Sequence, residues 1–593
     1  MSCGRLSLIS ALLLFAALDA RSQVPETSID NFDAAKKLRH WSFSNGAEFP
    51  GASGSLSLGP GHAGRGAALA YRFKCLNPMH CGQYVAATWK APSPIDVDPG
   101  ASLSLWARFS PDLRLTVRVV DQTGQTLQFH ANAFALEHLA PGEWQPVVIP
   151  VTGHAPEHWG GAGTGQLQGR MVEIAILADS RYIHPAQGRM EFDDVQLSKP
   201  VDAAFRLNRA AATITAPRGA DELRSRLGVD IHFLKDNRTL DLARDAGFSF
   251  VRMDVSWAKL EKQHEFDFAP FDELMASLEA RNMGVLWLLA YGHPEHGGKS
   301  PQSEQDVAAY SRYAAAVVSH FRGHNARFEI WNEPNGKQYL ANPAIYPGLL
   351  RAALDAIRRQ DPGAVVSTGG TSGFDFPFLV PLLQSGSAQK ASAIAVHPYR
   401  DAGPETLPAD LLLLRGLIQR TAQPDTPVWH TEWGYSSYGA RYGLALKRQA
   451  VLAARECLTV WTLGIPAAVF YDLRDDGSDH LNREHNFGLL NQDNSGKPAM
   501  KAISLLTGIA RNHKYSGLVR NVPDGVHALR LDGAEDIVFV MWNDDAGARP
   551  RMQLVRDELL SVSNMFGEPL TAEHDEVVLE ETAGPVYVRV KRP

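Results

Sequence analysis

Phe328-Glu329-Ile330-Trp331-Asn332-Glu333-Pro334-Asn335 begins as an apolar run and breaks off into polar turn formers, continued by Gly336. The first half has the character of a buried strand and the second that of a turn. A carboxylate at that boundary, Glu333, sits at the mouth of a strand and faces a cleft instead of a core. What this carboxylate serves depends on what repeats on either side of it.

Between 225 and 510, strand-like runs alternate with amphipathic helical ones. The strand candidates are 228–233, 249–255, 284–290, 328–331, 364–368, 393–396, 428–431 and 467–471. Helical stretches fall between them, among them 271–281, 304–321, 344–359 and 441–463, and 497–509 closes the set. Eight such units predict a central (β/α)8 TIM barrel, and Glu333 then ends its fourth strand.

The flanks read differently. Residues 25–200 carry short alternating runs separated by Gly, Pro and Asp turns, for example 102–108, 115–120 and 172–177. They predict an N-terminal β-sandwich. Residues 201–224, rich in Ala and Arg, read as a linker, and 511–593 as a small C-terminal β-sandwich. At the front, Met1 to Arg5 is short and basic, and Leu6 to Leu18 is apolar but too short to span a bilayer. Residues 1–22 are therefore expected to be a signal peptide, placing the protein in the periplasm or outside the cell. In that setting the close pair Cys75 and Cys81 is expected to form a local disulfide. With His80 the pair makes an incomplete zinc set. Cys457 falls in a helical pattern as a buried hydrophobe.

Composition narrows the partners. Hydrophobic residues make up 45% and charged ones 21%, as in ordinary soluble domains. The net charge of -7 argues against nucleic acid, which needs a basic face. No later run is apolar and long enough for a membrane span.

Barrel active sites are built from the C-terminal ends of the strands. Here those ends offer Asp230 and His232, then Arg252, Asp254 and Trp257, then Tyr291 and His293. Asn332 and Glu333 follow, then His397 and Tyr399, then Glu432 and Trp433, and last Tyr471, Asp472 and Arg474. Such a ring of aromatics, carboxylates and donors suits a sugar. Glu333 after strand four and Glu432 after strand seven face each other across the mouth, as glycoside hydrolysis requires of its two carboxylates. Blander readings exist for each group. The two Glu can be ion-pair members, Arg252 a salt bridge closing the barrel interior, and Trp257, Tyr291, Trp433 and Tyr471 plain core. His232, His293 and His397 could bind zinc, although two carboxylates explain the chemistry without a metal. The polar run from Asp472 to Asp479 reads as a solvated loop.

Trp331-Asn332-Glu333-Pro334 resembles the Asn-Glu-Pro signature of clan A glycoside hydrolases, and His430-Thr431-Glu432-Trp433-Gly434 resembles their nucleophile strand. Arg252 and His397-Pro398-Tyr399 match motifs of the same clan on strands two and six. Phe487-Gly488-Leu489 followed by Lys497-Pro498-Ala499 resembles a frequent clan ending. From about 225 onward the chain looks most like glycoside hydrolase family 39 and its relatives, which include β-xylosidases and endo-acting enzymes on bacterial exopolysaccharides. The resemblance implies that Glu432 is the nucleophile and Glu333 the acid/base. It implies that Asn332 holds the sugar 2-hydroxyl and that Arg252 and Tyr399 orient Glu432. Asp121-Gln-Thr-Gly124 and Phe192-Asp193-Asp194-Val195 resemble jelly-roll domains that flank carbohydrate enzymes, some of which hold a structural calcium. The expectation is an exported retaining hydrolase of β-glycosidic bonds, endo-acting on a bacterial exopolysaccharide and needing no cofactor for catalysis. The alternatives are an exo-acting β-xylosidase-like enzyme and a non-catalytic polysaccharide-binding protein.

Overall fold

The computed structural model describes residues 26–592 apart from short stretches, those of five residues or more being 75–82, 109–114, 131–141, 180–186, 199–203 and 216–223. The expected signal peptide at 1–22 and the expected Cys75–Cys81 disulfide lie outside the described residues.

Eight parallel strands close the barrel: Leu227–Asp230, Phe250–Ser256, Gly284–Ala290, Ala326–Asn332, Val366–Ser372, Ile394–His397, Val428–Trp433 and Ala468–Phe470. The third is buried at every position, the mark of a parallel strand covered on both faces. Helices wrap it because their starts are locally encoded. Ser303 and Asp306 form a reciprocal capping box at Glu304–His320, and Asp236 caps Asn237–Asp245 through the Thr239 amide. Glu304–His320 buries Tyr310, Tyr313, Val317 and Val318 under the strands, each contributing about 1.5–3 kcal/mol. The Tyr310 hydroxyl donates to the Leu289 carbonyl at 2.7 Å, so this buried phenol keeps a hydrogen-bond partner.

Among the described residues, the N-terminal region is two six-stranded antiparallel sheets packed face to face over a core that includes Trp41, Trp89, Leu103 and Phe192. The C-terminal region has a six-stranded sheet and a three-stranded one. The expected linker needs correction. Within 201–224, Ala204–Arg206 pairs in parallel with Arg551–Gln553, and Thr213–Thr215 pairs antiparallel with Lys514–Val519. Phe205 and Leu207 join the C-terminal core. Strands of three residues are too short to show a period, so their composition reads as loop. The consequence is that the chain builds part of its last domain before entering the barrel.

That last domain is docked firmly. Trp542 donates its indole N–H to Glu405 at 2.7 Å, and Arg455 holds the same carboxylate at 2.6 and 2.8 Å, all in the interior. Cys457 is buried and free.

Candidate active site

Barrel strand four ends under strain. Trp331 has φ +74° and Glu333 φ +41°, left-handed values that cost an L residue about 1–3 kcal/mol each and persist only where the surroundings impose them. Strand five does the imposing. The Glu333 amide donates to the Gly370 carbonyl at 3.0 Å, and Asn335 ties the following turn to Ser372 and Asp375. A Cβ at Gly370 would lie 2.1 Å from the His397 imidazole, so only glycine lets strand five approach this closely.

Arg252, on strand two, is the hub. It is 3% exposed and donates to Glu329 at 2.9 Å, Asp230 at 2.7 Å, Glu432 at 3.0 Å and the Asn332 side-chain oxygen at 2.9 Å. The two readings of Arg252 are thus one: it closes the barrel interior and it orients Glu432. Because Arg252 occupies the Asn332 carbonyl oxygen, the Asn332 amide N–H groups remain to donate. Glu432 receives the Tyr399 hydroxyl on its other oxygen at 2.8 Å. His397 lies between the two glutamates, its Nδ1 3.2 Å from Glu333 and 3.8 Å from Glu432. The nearest oxygens of Glu333 and Glu432 are within 4.8 Å of each other.

Other expected residues are placed differently. Tyr291 is half-buried against Trp331 and Tyr339, and Tyr471 against Tyr399, Phe487 and His232. Trp433 and Trp257 are fully buried, and His293 is 7% exposed and packed between Trp257 and His296. Trp433 packs against His430 and Tyr435, beside a register irregularity in the strand. Trp257 opens the short helix Trp257–Leu260, which turns it into the outer layer. The three histidines weighed for zinc do not converge. His293 groups with Glu295 and His296, His232 with Asp472 and Asp476, and His397 with the two glutamates. The loop after strand eight is not simply solvated: Asp472 and Asp475 are buried, the latter on Lys497 at 2.6 Å.

Sequence reading missed Glu329. It is wholly buried and accepts from Arg252, the Gly370 amide and the Thr431 hydroxyl. A usable signal was present: a buried Arg252 demands a countercharge. Gln338, 3.5 Å from Glu333, and Tyr339 come from the following loop and carried no pattern.

Residues 220–460 match the model of the cellulase family, glycosyl hydrolase family 5. Among solved structures, a family 39 glycoside hydrolase from the gut symbiont Bacteroides cellulosilyticus WH2 shares the fold at 19% identity, covering 85% of this chain and 100% of that one, TM-score 0.54. A GH39 β-xylosidase from Caulobacter crescentus aligns at 19% identity over 65% of this chain and 99% of that one, TM-score 0.48. Comparison with curated proteins returned no match. The barrel shares its fold with these glycoside hydrolases, and most of it matches the family model. A nearest-oxygen approach within 4.8 Å is compatible with the 5–5.5 Å carboxyl separation of retaining hydrolases.

Electrostatics at the site follow from two buried cations facing several carboxylates. Burial alone would raise Glu329, but Arg252 and His397 bring it down to about 2. Burial would lower His397, but the charge of Glu432 and the contacts to Glu329 and Glu333 raise it to about 9. Burial raises Glu333 as well, and the His397 contact outweighs it, leaving this carboxyl below its ordinary value. His430 behaves oppositely: buried, and repelled by Arg400 and Arg415, it falls to about 3 and stays neutral.

Proposed function

We propose that this hydrolase is exported and cleaves β-glycosidic bonds within a bacterial exopolysaccharide by double displacement. Glu432 attacks the anomeric carbon while Glu333 gives its proton to the departing glycosidic oxygen. Glu333 then takes a proton from water, which displaces Glu432. Asn332 donates to the sugar 2-hydroxyl. Arg252 and Tyr399 are positioning residues that aim Glu432. The observation that carries this reading is the pair of carboxylates within 4.8 Å, one of them held on both oxygens. Export rests on the basic and apolar start of the chain. A polymer is supported by the N-terminal sandwich, where Arg118 lies between the rings of Tyr84 and the 45%-exposed Trp159. Aromatic surface of this kind suits the faces of sugar rings.

The test is product analysis on a panel of bacterial exopolysaccharides and plant glycans, wild type beside Glu333→Gln. The expected result is a ladder of oligosaccharides whose first-formed reducing ends are β by proton NMR, absent with Glu333→Gln. First-formed α ends would overturn retention. Release of monosaccharide alone would replace the endo reading with the exo one.

The His397 contact sets the pH behaviour. The acid must carry its proton, so kcat/KM falls as pH rises through the Glu333 pKa. His397 stabilises the carboxylate form, so removing it raises that pKa. His397→Asn is expected to shift the alkaline limb of the kcat/KM profile upward. An unmoved or downward-shifted limb would exclude His397 as the group holding Glu333 low.

A further inference from the structure

Beyond the two glutamates, barrel strands one and eight enclose a cavity of about 430 Å³ lined by Asp230, His232, Arg474, Asp472, Asp475 and Asp476 among others. Four of these six are acidic, and most of the charge is already matched. Asp230 pairs with Arg252 at 2.7 Å, Asp475 with Lys497 at 2.6 Å and Asp476 with His232 at 2.8 Å, while Arg474 is drawn to Asp236 at 2.8 Å. Asp472 has only a share of His232, which Asp476 holds more closely. It is 2% exposed, one oxygen stands 3.7 Å from His232, and the other has no hydrogen-bond partner. An unmatched buried carboxylate is costly and must be protonated or neutralised by a ligand. Burial and the neighbouring Asp476 push its carboxyl up, in keeping with a group short of a positive partner.

The cavity's place in the barrel says which part of a substrate reaches it. Glu333 must touch the glycosidic oxygen, so the leaving sugar lies on the side of strands four and five. The sugar attacked by Glu432 extends the other way, past strand seven toward eight and one. Asp230 joins the two regions, because the Arg252 that holds it also holds Glu432.

We propose that this cavity is a glycone subsite selecting a sugar with a protonated amino group, which Asp472 and Asp476 neutralise. The proposal rests on the glycosidase reading above and adds the substrate class, an amino-sugar polymer. A neutral hydroxyl would give the unpartnered Asp472 oxygen only an uncharged donor, whereas an ammonium forms a charge-assisted hydrogen bond in a water-poor site.

The test uses the full chain carrying Glu333→Gln, which holds substrate without turnover. Chitosan tetraose, its fully N-acetylated counterpart and cellotetraose are titrated by calorimetry. The expected result is affinity for chitosan tetraose at least about tenfold above the other two. Asp472→Asn should erase that preference and Asp476→Asn should weaken it, with the circular dichroism melt of each recorded. Should Asp472→Asn fail to fold, the Asp476→Asn arm still reads the loss. Equal affinity for the three oligosaccharides, or a preference that survives both substitutions, would overturn the subsite. A melting-temperature rise with Mn²⁺ or Ca²⁺ alone that Asp472→Asn abolishes, with no amino-sugar preference, would replace it with a metal site. Separately, hydrolysis of any glycan by Glu333→Gln at wild-type rate would sink the underlying glycosidase assignment, whatever the titrations give.

Discussion

Glu432→Ala is expected to lower kcat by roughly 10⁴-fold or more, since double displacement has no first step without its nucleophile. The substitution leaves a gap of carboxylate size between the Tyr399 hydroxyl and the Arg252 guanidinium, two donors that previously held Glu432. Azide is small and anionic and fits that gap. With an activated aryl glycoside, azide should attack the anomeric carbon directly and restore turnover as a glycosyl azide of inverted configuration. Glu333→Ala should behave differently: substrates with good leaving groups still form the glycosyl-enzyme, and azide then gives a product of retained configuration. The pair of outcomes assigns the two carboxylates separately, which neither loss of activity does alone. Substantial activity in Glu432→Ala without azide, or a retained azide product from it, would end the nucleophile assignment.

Glu329→Gln carries the largest expected effect on stability, a loss of about 3–5 kcal/mol, because it leaves the buried Arg252 short of a countercharge. Urea denaturation measures it. The effect depends on pH with a definite sign. Glu329 sits at about 2 in the fold against an ordinary 4.5, so its contribution is fully present above 4.5 and disappears as pH falls toward 2. The difference between wild type and Glu329→Gln should therefore narrow on acidification. Activity should fall as well, since Arg252 loses the partner opposite Asn332 and Glu432. A midpoint unchanged at neutral pH would show that Asp230 and Glu432 alone suffice for Arg252.

The barrel was legible because parallel strands and amphipathic helices have different periods, and eight alternations leave little other choice. The chain also announced Glu333 and Glu432, since carboxylates directly after apolar runs are rare enough to notice. The facing of Trp257, His293 and Trp433 was not legible, because position along a strand fixes height in the barrel whereas facing depends on bulges and on the next turn. Strand pairing by 204–206 and 213–215 escaped because three residues carry no period.

By itself, then, the sequence determined the barrel, the two flanking β-regions and the glutamates after strands four and seven, all of them properties of local pattern. Only the tertiary structure decided the spacing of those glutamates, the convergence of Asp230, Glu329, Asn332 and Glu432 on Arg252, and the isolation of Asp472 beside a cavity. Those are relations between residues as far apart as Asp230 and Asp472. They follow from how the strands stagger and close, and no local pattern encodes a distance between strands.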